Sequence, residues 1–420
     1  MRLRRSRRRP AGQDGQLAEG GVLRGALPPL GLGAHRLTHP RPGRPLRFDR
    51  NELAGAFGDL GTDVPLIVGM VLAVGLDPAS VLVVYGLMQL LTGLVYRLPM
   101  PVQPLKAVAA LVITQHIAPP VIFGAGLAIG LAMLVITGLG LIDWLHRIVP
   151  KSVVRGIQLG LGLQLASLAL REYVGADQAM GYWLAGIAFV LVVALLGHRR
   201  VPAALPVIAL GVAYAFAFKL DLGDVVASAG ITLPRVHVPT TGDMLTGFVV
   251  LALPQLPLSL GNSILATRQI AEDLYPEARI GVRQIGLTYA AMNLVSPFLS
   301  GVPVCHGSGG FAGHYAFGGR TGGSVVLYGA IFLALGLFFA AGFAQVIQVF
   351  PLPMLGVLLL FEGLALAVLV RDVADSRAEF FIAALVAVCA AFLPYGYVVG
   401  LVVGTLLAYL TRHGLAASRW

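Results

Sequence analysis

From Phe48 to its end the chain is a nearly unbroken series of apolar runs, and this restricts its fold more than any other feature. Twelve runs read as uninterrupted helices, near 52–74, 78–96, 119–142, 150–170, 179–197, 201–218, 242–266, 281–300, 321–344, 346–370, 378–393 and 394–411. Two more, 99–117 and 301–317, are apolar but cut by Pro or Gly. At ~20 residues per crossing this length holds roughly fourteen spans. Only 12% of the 420 residues are charged and 57% are hydrophobic, whereas a soluble domain carries about 25% charge. A water-soluble enzyme is thereby excluded. The expectation is an all-α polytopic membrane protein of fourteen transmembrane segments.

The formal charge of +10 sits almost entirely in the first 47 residues, where eleven arginines face only Asp14 and Glu19. Such a basic, Pro/Gly-rich, aromatic-free stretch cannot bury enough apolar surface to order itself. Residues 1–47 therefore read as a disordered basic cytoplasmic tail, touching anionic lipid rather than nucleic acid. Ser6-Arg7-Arg8 resembles the start of a twin-arginine signal, but no apolar stretch follows promptly. Cys305 and Cys389 make neither a disulfide framework nor a metal spacing. With the tail inside, Arg97, Arg147, Lys151, Arg199, Arg200, Arg268, Arg279, Arg283, Arg320, Arg371, Arg377, Arg412 and Arg419 fall in inner loops. Only Arg171, Lys219 and Arg235 fall outside. This asymmetry requires an even number of crossings, with both termini cytoplasmic and residues 413–420 a short inner tail. The expected location is the plasma (inner) membrane.

Slid along itself by about 200 residues, the chain matches in three places, in order. Leu60-Gly61-Thr62 meets Leu260-Gly261-Asn262, Pro101-Val102-Gln103 meets Pro303-Val304-Cys305, and Pro150 with Gly162-Leu163 meets Pro351 with Gly363-Leu364. Two halves of seven spans follow, residues 48–220 and 242–412. An odd number of spans per half makes the repeat inverted.

The third and tenth segments are the interrupted ones, and such breaks point to a transporter's binding site. Pro99, Pro101 and Pro104 remove backbone donors and push their predecessors to extended geometry. A helix can begin only near Leu105, so Lys106 and Ala107 present free N–H groups. Val302-Pro303-Val304-Cys305 is likewise extended, and Gly307-Ser308-Gly309-Gly310 opens the next short helix, where small residues let an anion approach the amides. Two such half-helices, each with about half a positive charge at its amino end, together with Lys106, suit an anion of charge about two.

An unpaired lysine at that depth costs about 2.5–3.5 kcal/mol, so Lys106 is expected to pair with Asp59 or Asp63, which share one helical face, while the other acid carries protons. Glu362 either relays protons or pairs with an arginine. Asn262, Ser263 and Gln255 either touch substrate or hydrogen-bond between helices, and both options stay open. His306 adjoins the second half-helix; His314 is read as ending it near the cytoplasm. Cys305-His306 and Ser308 suggest a hydrolase, but neighbours on an extended segment point to opposite faces and no third group orients them. No enzyme and no cofactor are expected.

The stretches Phe57–Thr62, Pro99–Ala107, Leu256–Ser263 and Pro303–Gly310 resemble the signatures of the molybdate transporter family of the sulfate permease (SulP-like) superfamily. The resemblance runs from about Phe48 to the C-terminus. It implies a core domain holding the broken helices and a gate domain of the fifth to seventh and twelfth to fourteenth spans. It also implies an oxyanion substrate, most of all molybdate, with sulfate or tungstate as alternatives. The substrate-binding positions it carries over are Thr62, Gln103, Lys106, Ala107, Asn262, His306, Ser308, Gly309 and Gly310. Asp59, Asp63 and Glu362 remain for proton coupling or charge pairing, and no metal site is implied. The arginine-rich tail and His314, where members often carry an amide, depart from the pattern. A cytoplasmic regulatory domain is not expected after the last span.

No Gly-x-x-x-x-Gly-Lys-Ser/Thr motif occurs, so the expected activity is secondary active, proton-coupled uptake by alternating access of core against gate. The rival readings are an anion channel, a nucleobase permease of the same fold, and a membrane scaffold whose tail binds a partner. A homodimer is left open.

Overall fold

The computed structural model describes residues 45–198 and 201–413, without the side chains of 146 and 147. Most of the basic tail, residues 199 and 200, and residues 414–420 lie outside the described residues. The described residues are mostly helical. The first half comprises α1 (Arg50–Val74), α2 (Pro78–Tyr96), a two-residue strand β1 (Gln103–Pro104), α3 (Lys106–Gln115), α4 (Pro119–Gly138), α5 (Lys151–Tyr173), α6 (Gln178–Leu195) and α7 (Ala204–Phe218). The second comprises α8 (Thr241–Leu274), α9 (Val282–Val295), β2 (Val304–Cys305), α10 (Ser308–Ala316), α11 (Gly323–Phe338), α12 (Ala340–Val349), α13 (Leu352–Val373), α14 (Arg377–Phe392) and α15 (Gly396–Arg412). Two short helices, Ile142–Ile148 and Leu222–Ala227, lie between them.

Seven of these helices are long and apolar enough to cross a membrane, or eight if the bent pair α11–α12 counts as one, so the protein is multi-pass. Their outer faces carry large apolar side chains such as Trp183, Phe189, Val190 and Val193 of α6 in exposed positions. Facing water these would form aggregating patches; facing lipid tails they are the expected surface.

Local sequence explains the helix ends. The Asp77 carboxylate accepts the Ser80 N–H at 2.9 Å and Pro78 supplies a preset first turn for α2. A reciprocal capping box of Thr240 and Asp243 opens α8. The apolar run expected as one span over 321–344 is corrected by the structure: α11 stops at Phe338 and the chain turns by 95° into α12. The reason is tertiary. The Gly230 and Thr232 N–H groups donate to the Phe338 and Leu337 carbonyls at 2.9 and 2.8 Å, satisfying acceptors that a continuing helix would otherwise use.

α2 and α11 lie closely against each other through glycines. A Cβ on Gly329 would sit 2.7 Å from both the Gly86 carbonyl oxygen and the Gln89 Cβ, and small residues permit this backbone approach where lipid supplies no hydrophobic drive. Gly329→Val is expected to lower stability by about 1–3 kcal/mol through overpacking. Gly186→Ala on α6, where an added Cβ meets nothing within 4 Å, should leave it unchanged. Thermal unfolding of the two variants in detergent checks both.

Candidate functional site

The prolines act as the sequence analysis expects. The chain is extended through β1, and α3 begins at Lys106 after Leu105, whose φ of −64° and ψ of 112° are non-helical. In the other half Gly307 is extended and α10 begins at Ser308. β1 and β2 pair antiparallel, with Gln103 opposite Cys305 and Pro104 opposite Val304, and the Leu105 N–H donates to the Pro303 carbonyl at 3.0 Å. This pairing brings the amino ends of α3 and α10 together although they lie about 200 residues apart in the chain.

The charges are arranged differently from the expectation. Lys106 pairs with neither Asp59 nor Asp63; its Nζ donates to Glu362 Oε1 on α13 at 2.5 Å, with the lysine 22% and the glutamate 6% exposed. Glu362, for which an arginine partner was an open option, thus pairs with the lysine instead, and its other oxygen accepts from Thr62 Oγ1 at 3.3 Å. Asp59 accepts a 2.6 Å hydrogen bond from Gln103 Nε2, while both oxygens of the fully buried Asp63 have no hydrogen-bond partner among the described residues. The physical cause is reach. Asp59 is held by Gln103 within its own half, whereas α13 carries a carboxylate to the lysine's side of the cluster.

The free amide expected at Ala107 is occupied, because its N–H donates to Gln255 Oε1 of α8 at 2.9 Å. Gln255 Nε2 in turn donates to Ser259 Oγ, which shares a 2.7 Å hydrogen bond with the Tyr289 hydroxyl. The room beside Gly310 is also taken. A Cβ there would lie 2.0 Å from Asp59 Oδ2, so this glycine accommodates the aspartate rather than an anion. Over Gly309 an added Cβ meets nothing within 4 Å. Ser308 Oγ donates to Asn262 Oδ1 at 2.9 Å.

His306 does not join this cluster. Its ring nitrogens contact Thr288 Oγ1 at 2.7 Å and the Pro101 carbonyl at 3.2 Å, and its ring lies edge-on to Tyr96. His314 does sit in the last turn of its helix, but fully buried against Tyr328 rather than at a solvated end. The structure therefore gathers Thr62, Lys106, Glu362, Gln103, Asp59, Asn262, Ser308 and Gly309, and leaves Ala107, Gly310 and His306 engaged by protein groups.

Asn262 reaches Ser308 from a π-helical stretch of α8, Ser259–Ala266. Pro254 and Pro257 earlier in that helix lack N–H donors, and missing donors are a common cause of helix distortion. Those prolines were the available signal for a displaced face; the role of Gln255 had none beyond its being polar in an apolar run.

This architecture, with two short helices meeting at their amino ends beside a lysine inside an apolar bundle, is that of a multi-pass membrane protein. A family model described as "Molybdate transporter of MFS superfamily" matches residues 51–165 and 247–366, one stretch in each half. The chain is 34% identical to Molybdate transporter 1 of Arabidopsis thaliana over 375 residues, covering 79% of this chain and 82% of that protein. Its fold is similar to the transmembrane domain of the cyanobacterium bicarbonate transporter BicA (TM-score 0.59, 16% identity, 83% of this chain and 98% of that one). It is similar also to the murine Solute Carrier 26 family member A9 anion transporter (TM-score 0.64, 12% identity, 89% and 69%). The chain belongs to the molybdate transporter family, on the fold of these solved anion transporters.

Removing one member of a buried ion pair strands the other, at roughly 3–5 kcal/mol, while replacing both is often neutral. Lys106→Met should lower the melting temperature clearly, toward the small end of that range because the lysine is partly exposed, and adding Glu362→Gln should recover most of the loss. Equal melting of the single and double variants would show that the pair is not what stabilises the site.

Proposed function

We propose that this protein is a secondary active transporter that takes up molybdate, with sulfate and tungstate as tetrahedral dianions of the same shape class. The observation that carries this reading is Lys106. It stands on the first turn of α3, partly exposed, beside the amino end of α10, and its ion-pair partner among the described residues is the Glu362 carboxylate. Two helix amino ends and an ammonium form an anion site, and Glu362 acts as the internal anion that holds the lysine while the site is empty.

In this reading the incoming dianion is held by Lys106, the Ser308 and Gly309 amides, Asn262 and Thr62, with Gln103 keeping Asp59 back from it. The dianion displaces Glu362, which takes up a proton so that no carboxylate is left unpaired in an apolar bundle. Proton coupling also answers an electrical problem. An inside-negative potential opposes anion uptake by about 2.3 kcal/mol per charge per 100 mV, so two co-transported positive charges are needed to cancel it. Glu362, Asp59 and Asp63 are the carriers.

The remaining architecture follows the same reading. Fourteen spans form two inverted halves, 48–220 and 242–412, in the plasma membrane with both ends cytoplasmic. The fifth to seventh and twelfth to fourteenth spans gate a core that carries the anion from one side to the other. A neutral nucleobase would leave Lys106 without purpose, which disfavours that alternative.

Uptake of labelled molybdate into vesicles holding the purified protein, with competing oxyanions and at two external pH values, tests the proposal. Molybdate is expected to compete at micromolar levels, uptake to rise at the lower external pH, and Lys106→Ala to abolish it. Competition by bicarbonate or a nucleobase but not by molybdate would overturn the substrate assignment.

A further inference from the structure

The two extended segments raise a problem that their own pairing leaves half solved. In an antiparallel two-stranded ladder, alternate residues turn their N–H and C=O groups away from the partner strand. Here those residues are Val102 and Val304, both buried to within 2% of full burial. No third strand borders either segment among the described residues, and inside a bilayer no water replaces one.

Each half fills that edge in the same way. Gln89 of α2 accepts the Val102 N–H with Oε1 at 3.0 Å and donates from Nε2 to the Val102 carbonyl at 2.7 Å. Asn293 of α9 accepts the Val304 N–H with Oδ1 at 2.9 Å and donates from Nδ2 to the Val304 carbonyl at 2.6 Å. Both amides are fully buried. A carboxamide presents an acceptor and a donor side by side as a peptide group does, so each stands in for a missing strand. Val102 and Val304 are also matched positions of the internal repeat, and the two clamps lie in corresponding helices of the two halves.

We infer that Gln89 and Asn293 are positioning residues for anion binding, holding the segments whose next residues are the amino ends of α3 and α10. Val102 lies four residues before Lys106 and Val304 four before Ser308, so a shift of either clamped peptide moves the amides and the lysine that would face the dianion. The inference rests on the anion site proposed above. The clamps themselves touch no substrate.

Asn293→Leu and Gln89→Met keep side-chain bulk but remove the donor and the acceptor together, whereas an acid buried there would take up a proton and donate to the valine carbonyl again. Both are compared with wild-type protein in molybdate uptake and in thermal unfolding, with Gly336→Val as a variant that strains the packing of α11 on α2 away from either clamp, since a Cβ there would meet Val83 and Leu82. The expected result is an apparent KM raised about tenfold or more, as small misplacements of a binding group produce, with maximal rate per folded protein largely kept. Gly336→Val should show lower thermal stability at unchanged KM. Wild-type KM in both apolar variants overturns the positioning role, and so does recovery of both only as aggregate, since the inference requires the fold kept and the affinity lost. No saturable molybdate uptake by wild-type protein overturns the anion site itself and the inference with it.

Discussion

Backbone that leaves the helical conformation inside an apolar bundle must find hydrogen-bond partners without water, and the rest of this structure is organised around that requirement. Prolines at 99, 101, 104 and 303 force two such departures. The two segments satisfy each other through β1 and β2, and their outer edges are closed by Gln89 and Asn293. What emerges from this pairing is a pair of helix amino ends placed together, a focus of positive potential.

Charge is managed by the same economy of partners. Lys106 would be costly alone in such surroundings, and Glu362 neutralises it from the opposite half of the chain. Asp59 is held by Gln103 and lies against Gly310. The Ala107 amide, which could have been a further anion ligand, is capped by Gln255. Protein groups thus occupy part of the positive focus, and the proposed guest is left the side that carries Lys106, Ser308, Gly309, Asn262 and Thr62. In that proposal a lysine already paired discriminates by competition: an anion must offer more than one carboxylate does.

Much was legible along the chain because the signals are local. Apolar runs give the helical, multi-pass character, and the prolines around 99–104 fix the start of α3 at Lys106, since proline's missing donor acts within its own turn. Partnerships across the bundle were not legible. Glu362 is 256 residues from Lys106, and helical spacing favoured Asp59 and Asp63 only because they lie nearby in sequence. The bend between α11 and α12 carries no proline; it depends on amides of residues 230 and 232 capturing carbonyls more than a hundred residues later. His306 looked like a ligand from its neighbours, but extended geometry turned it toward Thr288 and Pro101.

By itself, then, the sequence determined that the chain is a series of apolar helices, where prolines delay the start of α3, and that a lysine stands at that start, because hydropathy and proline act over a few residues. Only the tertiary structure decided which carboxylate meets the lysine, which amides stay open and which side chains close the strand edges. These depend on distances between helices whose order in space no short-range rule encodes.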